Sequence, residues 1–246
     1  MKSSAITKQN RQTLPPGSRF WTPANLPHLI AWNSVRTLQN LTADATTEFF
    51  YDVSGNVNAL RQTTEGKRPT VKVSSDFGNL KVLDFDASTD FMVKSTPPDS
   101  LDIGDGDFFF CAAIAAAADD TNQTIMSLQR EDNDEELRLF LQANGRFTFR
   151  ISGSEIALAT ANLEGSVNLV YAAIDNSAAV CLGSLTSGGA QLFDGQIAEV
   201  VYGGSTSKGI MNDNKRQLLE GYMAHRCNIS SRLVSTHPYK YGPPRT

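Results

Sequence analysis

Side chains that could do chemistry fall into three groups along this chain. Near its end, "LLEGYMAHRCNISSRLVSTHPYKYGPP" (Leu218 to Pro244) gathers His225, Cys227 and His237, which are zinc-ligating and proton-moving types. A zinc site needs several such ligands at chelating spacing, and the sequence holds no CxxC, HxxxH or HExxH. No metal is therefore expected there. Tyr222, His225, His237 and Tyr239 read instead as a structural clasp, with ring bodies buried and polar tips hydrogen-bonded.

The second group is acidic. "REDNDEELRL" (Arg130 to Leu139) would put Asp132, Asp134 and Glu136 on one face if extended, the way a glycoside hydrolase presents an acid and a nucleophile. Asn133 and Glu135 between them leave no apolar side to bury, so a solvated turn is expected and a polysaccharide hydrolase is the weakest functional reading. No Gly-X-Ser-X-Gly elbow, phosphate-binding loop or dinucleotide fingerprint occurs, and no catalytic residue is assigned. The chain reads as a non-enzyme.

The third group could hold calcium through clustered oxygens: "DFDASTD" supplies Asp84, Asp86 and Asp90, and "DSLDIGDGD" supplies Asp99, Asp102, Asp105 and Asp107. Asp also makes turns by bonding its own backbone, and that reading is preferred, so no cofactor is expected.

The elements that must position these residues are mostly strands. With 40% apolar residues, 18 glycines and 10 prolines in 246 residues, the chain suits one β-rich domain with many turns. Period-two patterns mark "RPTVKVSS" and "LKVLDFDASTDFMVKS", where Val71 and Val73, and Leu83 and Phe85, alternate with other residues. Eight more strand candidates follow from Phe108: "FFFCAAIA", "QTIMSLQ", "LRLFLQA", "RFTFRIS", "EIALAT", "VNLVYAAI", "AAVCLGS" and "QIAEVVYG". Asn144 and Gly145 between two of them predict a type I′ hairpin turn. One helix is predicted late, capped by Asn212 or Asp213, with Leu218, Leu219, Tyr222 and Met223 as its apolar stripe, Arg226 at the negative end of its dipole and Asn228 closing it in a left-handed conformation.

Charge is uneven. Residues 1–43 carry five Lys/Arg and no acid, residues 208–246 carry seven against Asp213 and Glu220, and the middle holds 10 bases and 24 acids. Residues 1–19 read as an extended N-terminal arm whose Lys2, Lys8, Arg11 and Arg19 would dock on an acidic partner; residues 20–246 form the domain. The arm lacks the Lys/Arg density of a nucleic-acid tail. No apolar run reaches the ~18 residues of a membrane span, and no signal peptide is read at the N-terminus. Cys111, Cys181 and Cys227 are odd in number and far apart, which argues against a disulfide framework.

Five motifs in order resemble the concanavalin A-like, laminin-G-like domains of phage and bacterial surface proteins. They are "WTPANLPHLIAWNS", "DVSGN", "RPTV", "LDFDASTDFM" and the Leu218–Pro244 segment, spanning residues 20–244. Cys227 and Asn228 stand where that family often has Trp-Gly, and Ala87 stands where it has the Gly of "FDG". The resemblance implies a two-sheet antiparallel jelly-roll sandwich, all-β but for the late helix packed where the termini meet. It does not choose one function, since such domains serve as glycan binders, adhesion modules and virion parts. Taken with the one-domain length, the basic arm, and a sequence with no signal peptide or catalytic constellation read in it, the expected function is a phage virion structural protein, displayed as a capsid decoration or tail-associated component in contact with other virion proteins or copies of itself. The alternative is a carbohydrate-binding, lectin-like adhesion module for host-surface polysaccharide.

Overall fold

The computed structural model describes residues 20–94, 107–118, 121–129, 136–151, 154–175, 179–182, 192–205 and 210–245. The arm, with Lys2, Lys8, Arg11 and Arg19, lies outside them, as do Asp99, Asp102, Asp105, Asp132 and Asp134.

Fourteen strands and one α-helix are described. The strands are β1 (Leu29–Asn33), β2 (Phe49–Phe50), β3 (Leu60–Arg61), β4 (Thr70–Ser74), β5 (Leu80–Asp86), β6 (Met92–Lys94) and β7 (Asp107–Ala116), then β8 (Gln123–Gln129), β9 (Glu136–Leu141), β10 (Arg146–Ile151), β11 (Ser154–Asn162), β12 (Val167–Asp175), β13 (Ala179–Leu182) and β14 (Asp194–Ser205). The helix α1 spans Asp213–Arg226. All strand pairings are antiparallel and make two sheets. One has six strands ordered β12-β7-β14-β5-β4, with β1 also on β14; the other has eight, ordered β11-β10-β9-β8-β13-β6-β3-β2. This is the expected all-β sandwich with one C-terminal helix.

The ten strand segments expected from sequence are all present, the end of "LKVLDFDASTDFMVKS" forming the separate short strand β6, and β1, β2 and β3 are additional. β2 and β3 have only two residues each, too few to show a period. β1 was hidden inside the proline-marked opening segment, and it pairs with the far half of β14, along Val200–Gly203, where β5 has ended at Ile197.

Two cores explain why the central strands are apolar on both faces. Phe108, Phe110, Ala112 and Ile114 of β7 join Phe85, Met126 and Phe149 between the sheets. The alternate residues Phe109, Cys111 and Ala113 join Trp32, Val201, Leu219 and Met223 beneath α1. A strand covered by a sheet on one side and a helix on the other needs a continuous apolar run, as "FFFCAAIA" supplies. Val73, by contrast, is exposed on β4, the edge strand, despite its alternating pattern.

The "DVSGN" motif stitches β1 in place. Asp52 Oδ1 accepts the Trp32 and Ser54 N–H groups, Oδ2 accepts from Asn58 N–H and the Ser54 hydroxyl, and Asn58 donates back to the Ile30 carbonyl. The β9–β10 hairpin forms as expected but with a different turn. Gly145 alone has positive φ (70°) while Asn144 does not; Gly145 N–H bonds the Gln142 carbonyl, so Ala143 and Asn144 are the central residues. Asn144 instead uses Oδ1 to accept from Arg146 N–H. A left-handed glycine after an ordinary turn fits the strand twist as well as two left-handed residues do.

Candidate functional site

Chemically capable residues concentrate around α1. Asn212 caps it by accepting from Lys215 N–H, and Asn228 follows its end with φ 58°, both as the sequence indicates. Leu219 and Met223 are fully buried against the six-stranded sheet. The two sides of the helix hold two different carboxylates.

On the sheet side lies Glu199 of β14, fully buried. A register shift between Ile197 and Glu199 puts Glu199 opposite Ala113, on the helix-facing side of the sheet. Such a bulge re-aims a side chain; without it Glu199 would alternate with Ala198 into the inter-sheet core. The Trp32 indole N–H donates to Oε1, and the Tyr222 and Ser34 hydroxyls lie beside the same carboxyl. Arg226 Nε stands 4.0 Å from Oε2, beyond hydrogen-bonding range, and neither atom has a hydrogen-bond partner among the described residues. Burial raises the Glu199 pKa from 4.5 to about 7, partly offset by the Trp32 bond and the Arg226 charge. Burial, with Glu199 nearby, also pushes the Tyr222 phenol and the Cys111 and Cys227 thiols up; both thiols are free. A carboxyl poised near neutrality suits acid-base chemistry, but at 0% exposure no substrate reaches it.

On the opposite side Glu220 faces a cleft of about 490 Å³ between α1, β12 and the C-terminal loop. Arg216 Nη1 donates to Glu220 Oε1 at 2.7 Å. His237 lies 3.2 Å from Oε2 through Nε2, while its Nδ1 accepts the Tyr239 N–H, so Nε2 carries the hydrogen and donates to Glu220. His225 Nε2 donates to the Tyr239 carbonyl at 2.7 Å, and Lys240 Nζ donates to the Ser231 and Leu233 carbonyls. Gly221 lets this loop lie close: a Cβ there would stand 2.5 Å from Tyr239 Cβ. Tyr222 meets Trp21 and Trp32 edge-on, and Trp21 N–H bonds the Pro244 carbonyl beside the Phe20–Arg245 bridge. Tyr222, His225, His237 and Tyr239 thus share one corner, where both ends of the domain meet.

Asp84 lies within β5, and Asp86, its last residue, begins a turn that runs to Asp90. Asp86 accepts five hydrogen bonds, from the N–H and hydroxyl of Ser88 and of Thr89 and from Asp90 N–H. These hold its carboxyl well below the usual range against the opposing effect of partial burial. Asp90 is raised to about 6 by burial and by the Asp86 charge. Ala87 takes φ 60°, a left-handed position where the resembling domains place glycine. No group of three or more potential metal ligands occurs among the described residues. Asp107 opens β7 and Glu136 opens β9.

Glu199, Glu220 and Lys240 were missed by sequence reasoning. Glu199 left one signal, a lone acid inside the apolar run "QIAEVVYG"; Glu220 and Lys240 look like ordinary surface charges.

No protein-family model matches the chain, and no curated protein matches it. Among solved structures it is similar to a GH54 α-L-arabinofuranosidase soaked with a cyclic sulfate inhibitor, at 10% identity and TM-score 0.48, covering 86% of this chain and 61% of that one. It is similar to an arabinofuranosidase complexed with arabinofuranosyl-α-1,2-xylobiose, at 13% identity and TM-score 0.48, covering 79% and 53%. A third is the full-length tailspike protein 2 from Escherichia coli O157:H7 bacteriophage CAB120, at 15% identity and TM-score 0.41, covering 85% and 29%. The chain therefore spans less than two thirds of each of these proteins.

Proposed function

We propose that the chain is a non-enzymatic structural protein of a phage virion, a capsid decoration or tail-associated component that docks through residues 1–19 on other virion proteins or on copies of itself. The observation that carries the non-catalytic half is the sealing of Glu199: among the described residues, the carboxyl raised to about 7 has no exposure, while Glu220 is bonded on both oxygens to Arg216 and His237. The closure of the domain's two ends supports the docking half: Phe20, the residue that follows the basic arm, pairs with Arg245, and its neighbour Trp21 packs edge-on against Tyr222 of the clasp. An arm rooted on a rigid corner transmits binding to the whole domain.

Gold-labelled antibody against the chain, imaged on phage particles from the genome that encodes it, tests this directly. Label on heads or tails supports the reading, and bare particles overturn it. Deletion of residues 1–19 should abolish attachment. Release of reducing ends from a polysaccharide, lost in Asp134→Asn or Glu136→Gln, would replace the reading with a hydrolase.

A second reading, carbohydrate binding, is favoured by one specific observation: Tyr51 presents an aromatic ring that is 51% exposed beside the stacked ring of Phe49. The two readings are compatible on one particle surface.

A further inference from the structure

The sequence offers no way to pick an aromatic that could stack on a sugar; the structure does. β2 is the outermost strand of the eight-stranded sheet. Phe50 and its cross-strand partner Leu60 are fully buried, so the alternate pair, Phe49 and Arg61, faces outward. Phe49 stacks with Tyr51, ring centroids 5.3 Å apart and planes within 17°. The Arg61 guanidinium lies over the Phe49 ring at 5.1 Å, where the ring quadrupole holds it.

Glu48 fixes the other side of the guanidinium. Arg61 Nε donates to Glu48 Oε1 at 2.7 Å and Nη2 stands 2.6 Å from the same oxygen, while Arg68 Nη2 takes Oε2 at 3.1 Å. Two arginines therefore share one carboxylate, leaving a net positive charge in a stretch of chain, residues 44–207, that carries 24 acids and 10 bases. The Arg61 side chain is 54% exposed, and among the described residues its Nη1 has no hydrogen-bond partner.

We infer that this platform binds an acidic pyranose within a polysaccharide: the Tyr51 ring takes the C–H face of the sugar, and Arg61 donates to its carboxylate. The inference rests on the carbohydrate-binding reading above and gives it a place and a chemistry. Three features favour this occupant over a protein. An aromatic face suits the apolar side of a sugar ring, and a guanidinium held by stacking and by Glu48 is preorganised for a carboxylate. The two rings offer a few hundred Å² at most, far below the roughly 800 Å² per partner of a stable protein interface.

The test uses the full chain and an array of galacturonate, glucuronate and sialic acid oligosaccharides, with their methyl esters as uncharged controls, followed by titration calorimetry on the best binder. Saturable binding to an acidic oligosaccharide is expected, with its ester at least about tenfold weaker, a difference worth about 1.4 kcal/mol. Tyr51→Ala should weaken both about tenfold or more. Arg61→Gln should weaken the acid about tenfold and leave the ester unchanged. Both side chains are at the surface, so thermal unfolding of either variant should match the parent. Binding to no acidic oligosaccharide, equal affinity for acid and ester, or indifference to Tyr51→Ala each overturns the inference. Particle labelling does not depend on this surface, so failure of either proposal is read separately from the other.

Discussion

The Asp86 turn and the Glu199 seam each hold one carboxylate, and the fold moves the two in opposite directions. Asp86 receives five hydrogen bonds from its own loop and stays ionised far into acid. Glu199 has lost all contact with water, receives the Trp32 N–H on one oxygen and leaves the other 4.0 Å from Arg226. Its proton is held to about pH 7. The difference teaches that burial sets the cost of the charge and donors decide whether it is offset: five donors outweigh partial burial at Asp86, while full burial outweighs the few groups around Glu199.

The comparison breaks most sharply at Glu199. Glu199→Ala should cost about 3 kcal/mol of unfolding free energy in denaturant melts at pH 6, because it orphans the buried Trp32 N–H and opens a void beneath α1. Asp86→Ala should cost about 2 kcal/mol, since it strips the turn of its five bonds. An equal or larger loss for Asp86→Ala would mean that the seam is the weaker structure.

Stability against pH sharpens the contrast. Glu199 and Asp90 have folded pKa values of about 7 and about 6, above their ordinary 4.5 and 3.8, so the native state binds more protons in between. Both therefore favour folding at low pH, an advantage lost as pH rises through about 6 and 7. Asp86 is lowered, so its contribution is present above its ordinary 3.8 and is lost as pH falls below that. Thermal unfolding midpoints should rise from pH 8 to about 5 and fall below about 4. Glu199→Gln should remove most of the first slope, raising the midpoint most at pH 8 and leaving it nearly unchanged only below about pH 4. The smallest effect is expected at the turn: Ala87→Gly should stabilise by about 1 kcal/mol by relieving its left-handed backbone.

Much of the frame was legible in the sequence, for reasons visible at particular residues. Asn212 and Asn228 bracket α1 with local chemistry that depends on no distant partner. The alternation in "LKVLDFD" marks β5, whose Leu83 and Phe85 reach the inter-sheet core. The Asp86 cluster was readable as a turn because its partners lie within four residues. Glu199 was not legible: its role comes from a bulge and from Trp32, 167 residues away. The Phe49, Tyr51 and Arg61 stack was hidden for the same reason, since it needs a cross-strand register in a two-residue strand.

The pairing of β1 with β14 sets the order in which this protein can be made. Strand β1, with Trp32 and its apolar neighbours, leaves the ribosome early, yet the residues it must cover come 167 positions later. At about 5–20 residues per second, β1 waits roughly ten to thirty seconds with its apolar side unpaired. The six-stranded sheet thus acquires its β1 edge late in synthesis, and "LIAWN" is the segment a chaperone would have to hold during that interval.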